Sequence, residues 1–159
     1  MDHKLTHRDK TSSLRYLEDL QPGDCFTSAG HVLDEAQIKA FAAQFDPQPF
    51  HLDHEAATGT LFNGLAASGW HTAAITMRLL VDGGLPLAGG IIGAGGEINW
   101  PRPTRPADVL QVQSEVLSVT PSRSRPERGM VVVRSETRNQ HGHVLQQSVY
   151  KLVVPRRPA

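Results

Sequence analysis

Apolar residues recur at helical spacing in two places. Ile38, Phe41, Ala42 and Phe45 fall at i, i+3, i+4 and i+7, which predicts one apolar face of a helix running to about Phe45. Asp34-Glu35-Ala36-Gln37 ahead of it has the form of a capping box, with Asp34 as N-cap and Gln37 three residues on. Later, Trp70, Ala73, Ala74, Met77, Leu80 and Val81 share one face, with Ile75 and Leu79 on a second. A helix apolar over so much of its circumference is expected to be buried. Ser68 is its natural N-cap, and Gly83-Gly84 with Pro86 stop it.

The alternating stretches are strands. A first runs from about Asp24 to Val32 after the Pro22-Gly23 turn, and Ile91 to Trp100 forms another with a Gly-rich start. In Val109 to Thr120, Leu110, Val112 and Val116 alternate with Gln111, Gln113 and Glu115. Met130 to Arg138 and Val144 to Val154 follow, joined by the hairpin turn Asn139-Gln140-His141-Gly142. One antiparallel sheet wrapped around the long helix is the economical packing of this order, so the fold class is α+β.

The 159 residues suit one domain, placed at 16–159, behind a polar tail over residues 1–15 that is expected to be disordered. Sixteen basic and sixteen acidic side chains cancel. That balance argues against nucleic acid as the main partner, since phosphate binding needs an excess of positive charge. The tail has no apolar signal segment, no run approaches the roughly 20 apolar residues of a membrane span, and the single cysteine is Cys25. The expectation is a cytoplasmic protein without a membrane partner.

Candidate chemistry centres on Asp46-Pro47-Gln48-Pro49-Phe50-His51. The two prolines disfavour helix at Asp46 and Gln48, so an acid and an imidazole are expected on an extended or turning loop, able to work on one water or one substrate proton. Asp46 follows a helix C-terminus, whose negative dipole end is expected to raise its pKa. Gly69, first residue of the long helix, offers a free backbone N–H to developing negative charge.

Phe45 to Ala57, with Asp46, Pro49 and His51 in the spacing Asp-x-Asn-Pro-x-His, resembles the signature of the MaoC-like dehydratases, a family that includes (R)-specific enoyl-CoA hydratases. Trp100 to Asp108 resembles the family's Pro-Val-x-x-Gly-Asp stretch, and the likeness extends over roughly Leu20 to Val154. It implies a single hot-dog domain, with the antiparallel sheet around a long central helix. It also implies reversible hydration of an enoyl thioester to a 3-hydroxyacyl thioester. Asp46 and His51 would be the catalytic pair, and Gly69 the backbone donor to the thioester carbonyl. The substrate would be an acyl-CoA or acyl-carrier-protein thioester, with no metal or organic cofactor required. The assembly implied is a homodimer, alone or in dimers of dimers or trimers, with sites at the interface. Gln48 stands where the family has Asn, Ser68 where many hydratases have His, and Met77 lies near a position where some carry a hydroxyl.

Gln48, Phe50, Ser68, Trp70 and His71 are the candidate substrate-binding residues, and Leu61, Phe62 and Ile75 join Phe50 and Trp70 in setting pocket volume. Trp70 and Trp100 read more readily as core than as binding surface. His51, Asp53 and His54 lack the further ligands a metal site needs. Arg123, Arg125 and Arg128 read as a solvated hairpin loop, with anchorage of coenzyme A phosphates the alternative. Close approach to the central helix is the reading for Gly89, Gly90, Gly93, Gly95 and Gly96. Two other functions stay open: a hot-dog acyl-CoA thioesterase and a non-catalytic acyl-thioester-binding subunit.

Overall fold

The computed structural model describes residues 13–159. Strands β1 (Cys25–Val32), β2 (Gly93–Asn99), β3 (Val109–Pro121), β4 (Arg128–Arg138) and β5 (Val144–Pro155) form one sheet in the order β1-β3-β4-β5-β2. Every neighbouring pair is antiparallel. Between β1 and β2 come α1 (Glu35–Phe45), the one-turn helices α2 (Pro49–Leu52) and α3 (His54–Ala57), and α4 (Gly69–Leu79). The expected α+β arrangement is present, with α4 packed against β1, β3 and β5. Of the tail expected over residues 1–15, residues 1–12 lie outside the described residues. Arg15 is tied to the domain, donating its N–H to the Pro86 carbonyl at 2.7 Å.

Alternation on the strands places Leu110, Val112, Val116, Val131, Val133, Leu152 and Val154 in the core with Leu33, Ile38, Ile75 and Leu79. Each such aliphatic side chain, fully buried, stabilises the fold by roughly 1.5–3 kcal/mol. Asp34 caps α1, accepting from the Gln37 N–H at 2.8 Å. The box is not reciprocal, because the Gln37 side chain turns instead to His31 Nε2 and the Val32 carbonyl.

α4 corrects the hydrophobic pattern. Its buried face is His71, Thr72, Ile75, Thr76 and Leu79, whereas Trp70 is 61% exposed, Met77 42% and Val81 62%. The threonines tolerate burial because their hydroxyls find partners: Thr72 Oγ1 meets Thr104 Oγ1 at 2.9 Å, and Thr76 Oγ1 meets Thr137 Oγ1 at 2.5 Å. Apolarity therefore did not decide which side turned inward. The Gly-rich segment needs a second correction. A Cβ on Gly96 would meet Val149 O and Tyr150 of β5, not α4, and Gly90, Gly93 and Gly95 have open space there. Among the described residues no helix is long and apolar enough to cross a membrane.

Candidate active site

Asp46 ends α1 in a non-helical conformation (φ −152°, ψ 67°), its N–H donating to the Ala42 carbonyl at 2.9 Å. Pro47 and Gln48 are outside any helix, as their prolines dictate. Pro49 is not: it opens α2, since a proline at the first helical position loses no hydrogen bond and its φ is already set. His51 thus stands on a helical turn rather than on an extended loop. It is 4% exposed.

The ring is held at Nδ1 and turns Nε2 towards Asp46. His51 Nδ1 lies 2.6 Å from the Ala66 carbonyl oxygen, and Nε2 lies 3.4 Å from Asp46 Oδ2. A carbonyl only accepts, so Nδ1 carries the proton and the neutral ring presents its Nε2 lone pair towards Asp46. Two acceptors then face each other across 3.4 Å. A water donating to both, or a proton on Nε2, resolves the pair.

Gln48 Nε2 donates to Asp46 Oδ1 at 2.6 Å. The longer side chain therefore reaches the carboxylate and orients it. Burial is the largest influence on Asp46 and pushes its pKa up. The Ser68 hydroxyl, the Gln48 amide and His51 together outweigh it and hold the carboxyl below its ordinary value of 3.8. This reverses the direction expected from the helix dipole: direct hydrogen bonds to a carboxylate are stronger than a half-charge spread over a helix end.

Ser68 is fully buried and caps α4, accepting from the Trp70 N–H at 3.2 Å. Gly69 follows as the first helical residue, whose N–H has no acceptor within its own helix. A Cβ there would lie 2.7 Å from Trp100 Cε2, so only glycine fits under that ring. Trp100 is pinned by its Nε1 donating to Gln146 Oε1 at 3.0 Å and meets Trp70 edge-on, 5.2 Å between centroids. Both tryptophans border the cleft and are partly exposed (Trp100 39%), which corrects the core reading.

Asp46, His51, Gly69 and Trp70 share one cleft of about 590 Å³ with Thr72 and Trp100. Leu61, Phe62 and Thr104 also border it, as does Arg102, set between Pro101 and Pro103. The other sequence-derived residues stand outside its lining. Gln48 and Ser68 act on Asp46. Phe50 sets its ring edge-on to His51 at 4.6 Å and packs on Phe62. His71 stacks flat on Phe41, centroids 4.5 Å apart. Ile75 faces the core. Asp53 caps α3, and His54 Nδ1 accepts from the Leu65 N–H. The arginine loop joins the Pro121 end of β3 to the start of β4, opposite the Thr137 end that lies under α4.

Thr72, Thr104 and Arg102 were missed. Thr72 is three residues after Gly69 and so shares its helix face, a signal within reach. It brings a hydroxyl to the cleft where Met77 had suggested none. Thr104 meets Thr72 across 32 positions, and no local pattern announces that contact.

Comparison with known proteins agrees with this architecture. The family described as MaoC like domain matches residues 19–139. The chain is similar to the uncharacterized protein YdeM of Bacillus subtilis (strain 168), 36% identical over 127 residues, which is 78% of this chain and 87% of YdeM. It is similar to the crystal structure of the MaoC-like dehydratase from Rhodospirillum rubrum, with TM-score 0.90 and 64% identity over 91% of this chain and 99% of that one. The unliganded R-hydratase PhaJ1 from Pseudomonas aeruginosa gives TM-score 0.70 and 26% identity over 89% and 86% of the two chains. With the family match spanning most of the hot-dog domain, this chain belongs to the MaoC-like dehydratase family.

Proposed function

We propose that the chain is a hydro-lyase that reversibly hydrates an enoyl thioester, as the CoA or acyl-carrier-protein ester, to the 3-hydroxyacyl thioester. The observation that carries this reading is the 3.4 Å pair of Asp46 Oδ2 and His51 Nε2 in one cleft with Gly69 at the head of α4. A water held between the pair adds its oxygen to the β-carbon and passes one proton to the pair, its other proton staying on as that of the new hydroxyl. That proton is delivered from the pair to the α-carbon, so the enzyme ends as it began. General acid–base help of this kind is worth on the order of 10²–10⁴-fold. Between the two bond-forming events the thioester oxygen carries enolate charge, and the Gly69 N–H is its donor, worth roughly 3–4 kcal/mol. These steps draw only on Asp46, His51, the Gly69 amide and water. A second, apolar cavity of about 120 Å³, lined by Met77, Leu80, Ile91, Val133 and Tyr150, shares no lining residue with this cleft.

The bond from Gln48 to Asp46 favours catalysis over the non-catalytic binding role, because it orients a carboxylate that simple binding does not require. The test is crotonyl-CoA hydration, followed as loss of enoyl absorbance with free thiol measured in parallel. Absorbance loss without thiol release is expected. Thiol release with the enoyl band intact would make the protein a thioesterase. The exposed apolar face of α4 and the edge strand β2, paired on one side only, support a homodimer.

A further inference from the structure

Arg105 lies on the turn before β3, outside the cleft lining. Its Nη1 donates to the carbonyls of Gly64 at 2.9 Å and Leu65 at 3.2 Å, and its Nη2 donates to the carbonyl of Phe62. Among the described residues no backbone N–H reaches those three oxygens. The turn is itself braced: the Arg105 N–H donates to Asp108 Oδ2 at 2.8 Å, and the Asp108 N–H donates to the Arg105 carbonyl at 3.1 Å. One residue before Arg105, the Thr104 carbonyl accepts from the Ala67 N–H at 2.9 Å. Leu65 and Ala67 are therefore both gripped from this turn. Between them sits Ala66, whose carbonyl receives His51 Nδ1 at 2.6 Å.

We propose that Arg105 is a positioning residue for the acid–base pair: by clamping the carbonyls of Phe62, Gly64 and Leu65 it keeps the Ala66 carbonyl on His51 Nδ1, and so fixes which ring nitrogen faces Asp46. A planar guanidinium can serve three carbonyls at once in a fixed geometry, which a lysine ammonium on a flexible stem does not reproduce. Without the clamp the three carbonyls turn towards water and the Ala66 oxygen moves with its neighbours. His51 is then free to carry its proton on Nε2, pointing a donor at Asp46 where a lone pair is needed to take a proton from water. The kinetic consequence rests on the hydro-lyase reading; the tautomer consequence does not.

The experiment is ring ¹⁵N NMR of histidine-labelled wild type, Arg105→Lys and Arg105→Ala, with the neutral ring under observation. The His51 signals are assigned among the eight histidines by their loss in His51→Gln. Wild type is expected to show a protonated Nδ1 and a bare Nε2, and the Arg105 variants a shift towards protonated Nε2. With crotonyl-CoA, kcat is expected to fall about 10- to 100-fold, as misplacement of a catalytic group does, with KM changing less than about twofold. Arg105→Lys, which keeps the stem and the charge, carries the test if Arg105→Ala does not fold. A folded Arg105→Lys with the wild-type tautomer overturns the proposal, whatever its thermal stability. If wild type hydrates no enoyl thioester the hydro-lyase reading falls, and the tautomer shift still decides the role of Arg105.

Discussion

Asp46 illustrates how a side chain two residues away can outweigh the helix it follows. The Gln48 amide on Oδ1 favours the charged carboxylate, so removing it lets the pKa rise. In Gln48→Met the acid limb of the kcat/KM profile is expected to move to higher pH. An unmoved limb would leave Gln48 without an electrostatic role. Ala107 is a second informative residue. It adopts φ 71° where the family stretch has glycine, a conformation costing a side chain roughly 1–2 kcal/mol. Ala107→Gly gains that back less the roughly 0.4–1 kcal/mol of added unfolded-chain freedom. Its Tm is expected to rise by about 1–4 °C, measured by calorimetry.

At the scale of elements, α4 is held by both apolar and polar contacts, and His71 is its pH-sensitive point. Burial, with the charge of nearby His31 adding to it, lowers the His71 pKa from 6.5 to about 4, and among the described residues its Nδ1 has no hydrogen-bond partner. The folded pKa lies below the unfolded one, so between those values the unfolded chain binds more protons. Stability is full above pH 6.5 and drains as pH falls towards 4, by up to about 3 kcal/mol. His71→Phe, which keeps the stacking on Phe41, is expected to flatten the decline in Tm between neutral pH and pH 4.5; an unchanged decline would place its origin elsewhere. The helix starts, with Gly69 first in α4, and the strand alternation were legible because each is a local rule written in adjacent residues. The inward face of α4 was not, because Thr72 and Thr76 are satisfied by Thr104 and Thr137, partners far along the chain. Nor was the Arg105 clamp, which joins positions about forty residues apart. Pro49 was misread for a different reason: the rule that proline breaks helices is reversed at a helix's first position.

For the whole molecule, Trp70, Met77 and Val81 leave an apolar stripe along α4 in water while β2 is almost wholly exposed. A homodimer that covers this stripe is expected to give twice the chain mass in light scattering, and Met77→Glu to shift it towards monomer. A monodisperse wild-type monomer would contradict that assembly. The Asp46–His51 pair, oriented from either side by Gln48 and the Ala66 carbonyl, is where sheet, helices and clamped loop converge. The most direct measurement is therefore crotonyl-CoA hydration by wild type, Asp46→Asn and His51→Ala, each shown folded by circular dichroism. The account predicts turnover by wild type and a loss of about 10²–10⁴-fold in each variant; hydration by either variant at the wild-type rate would contradict it.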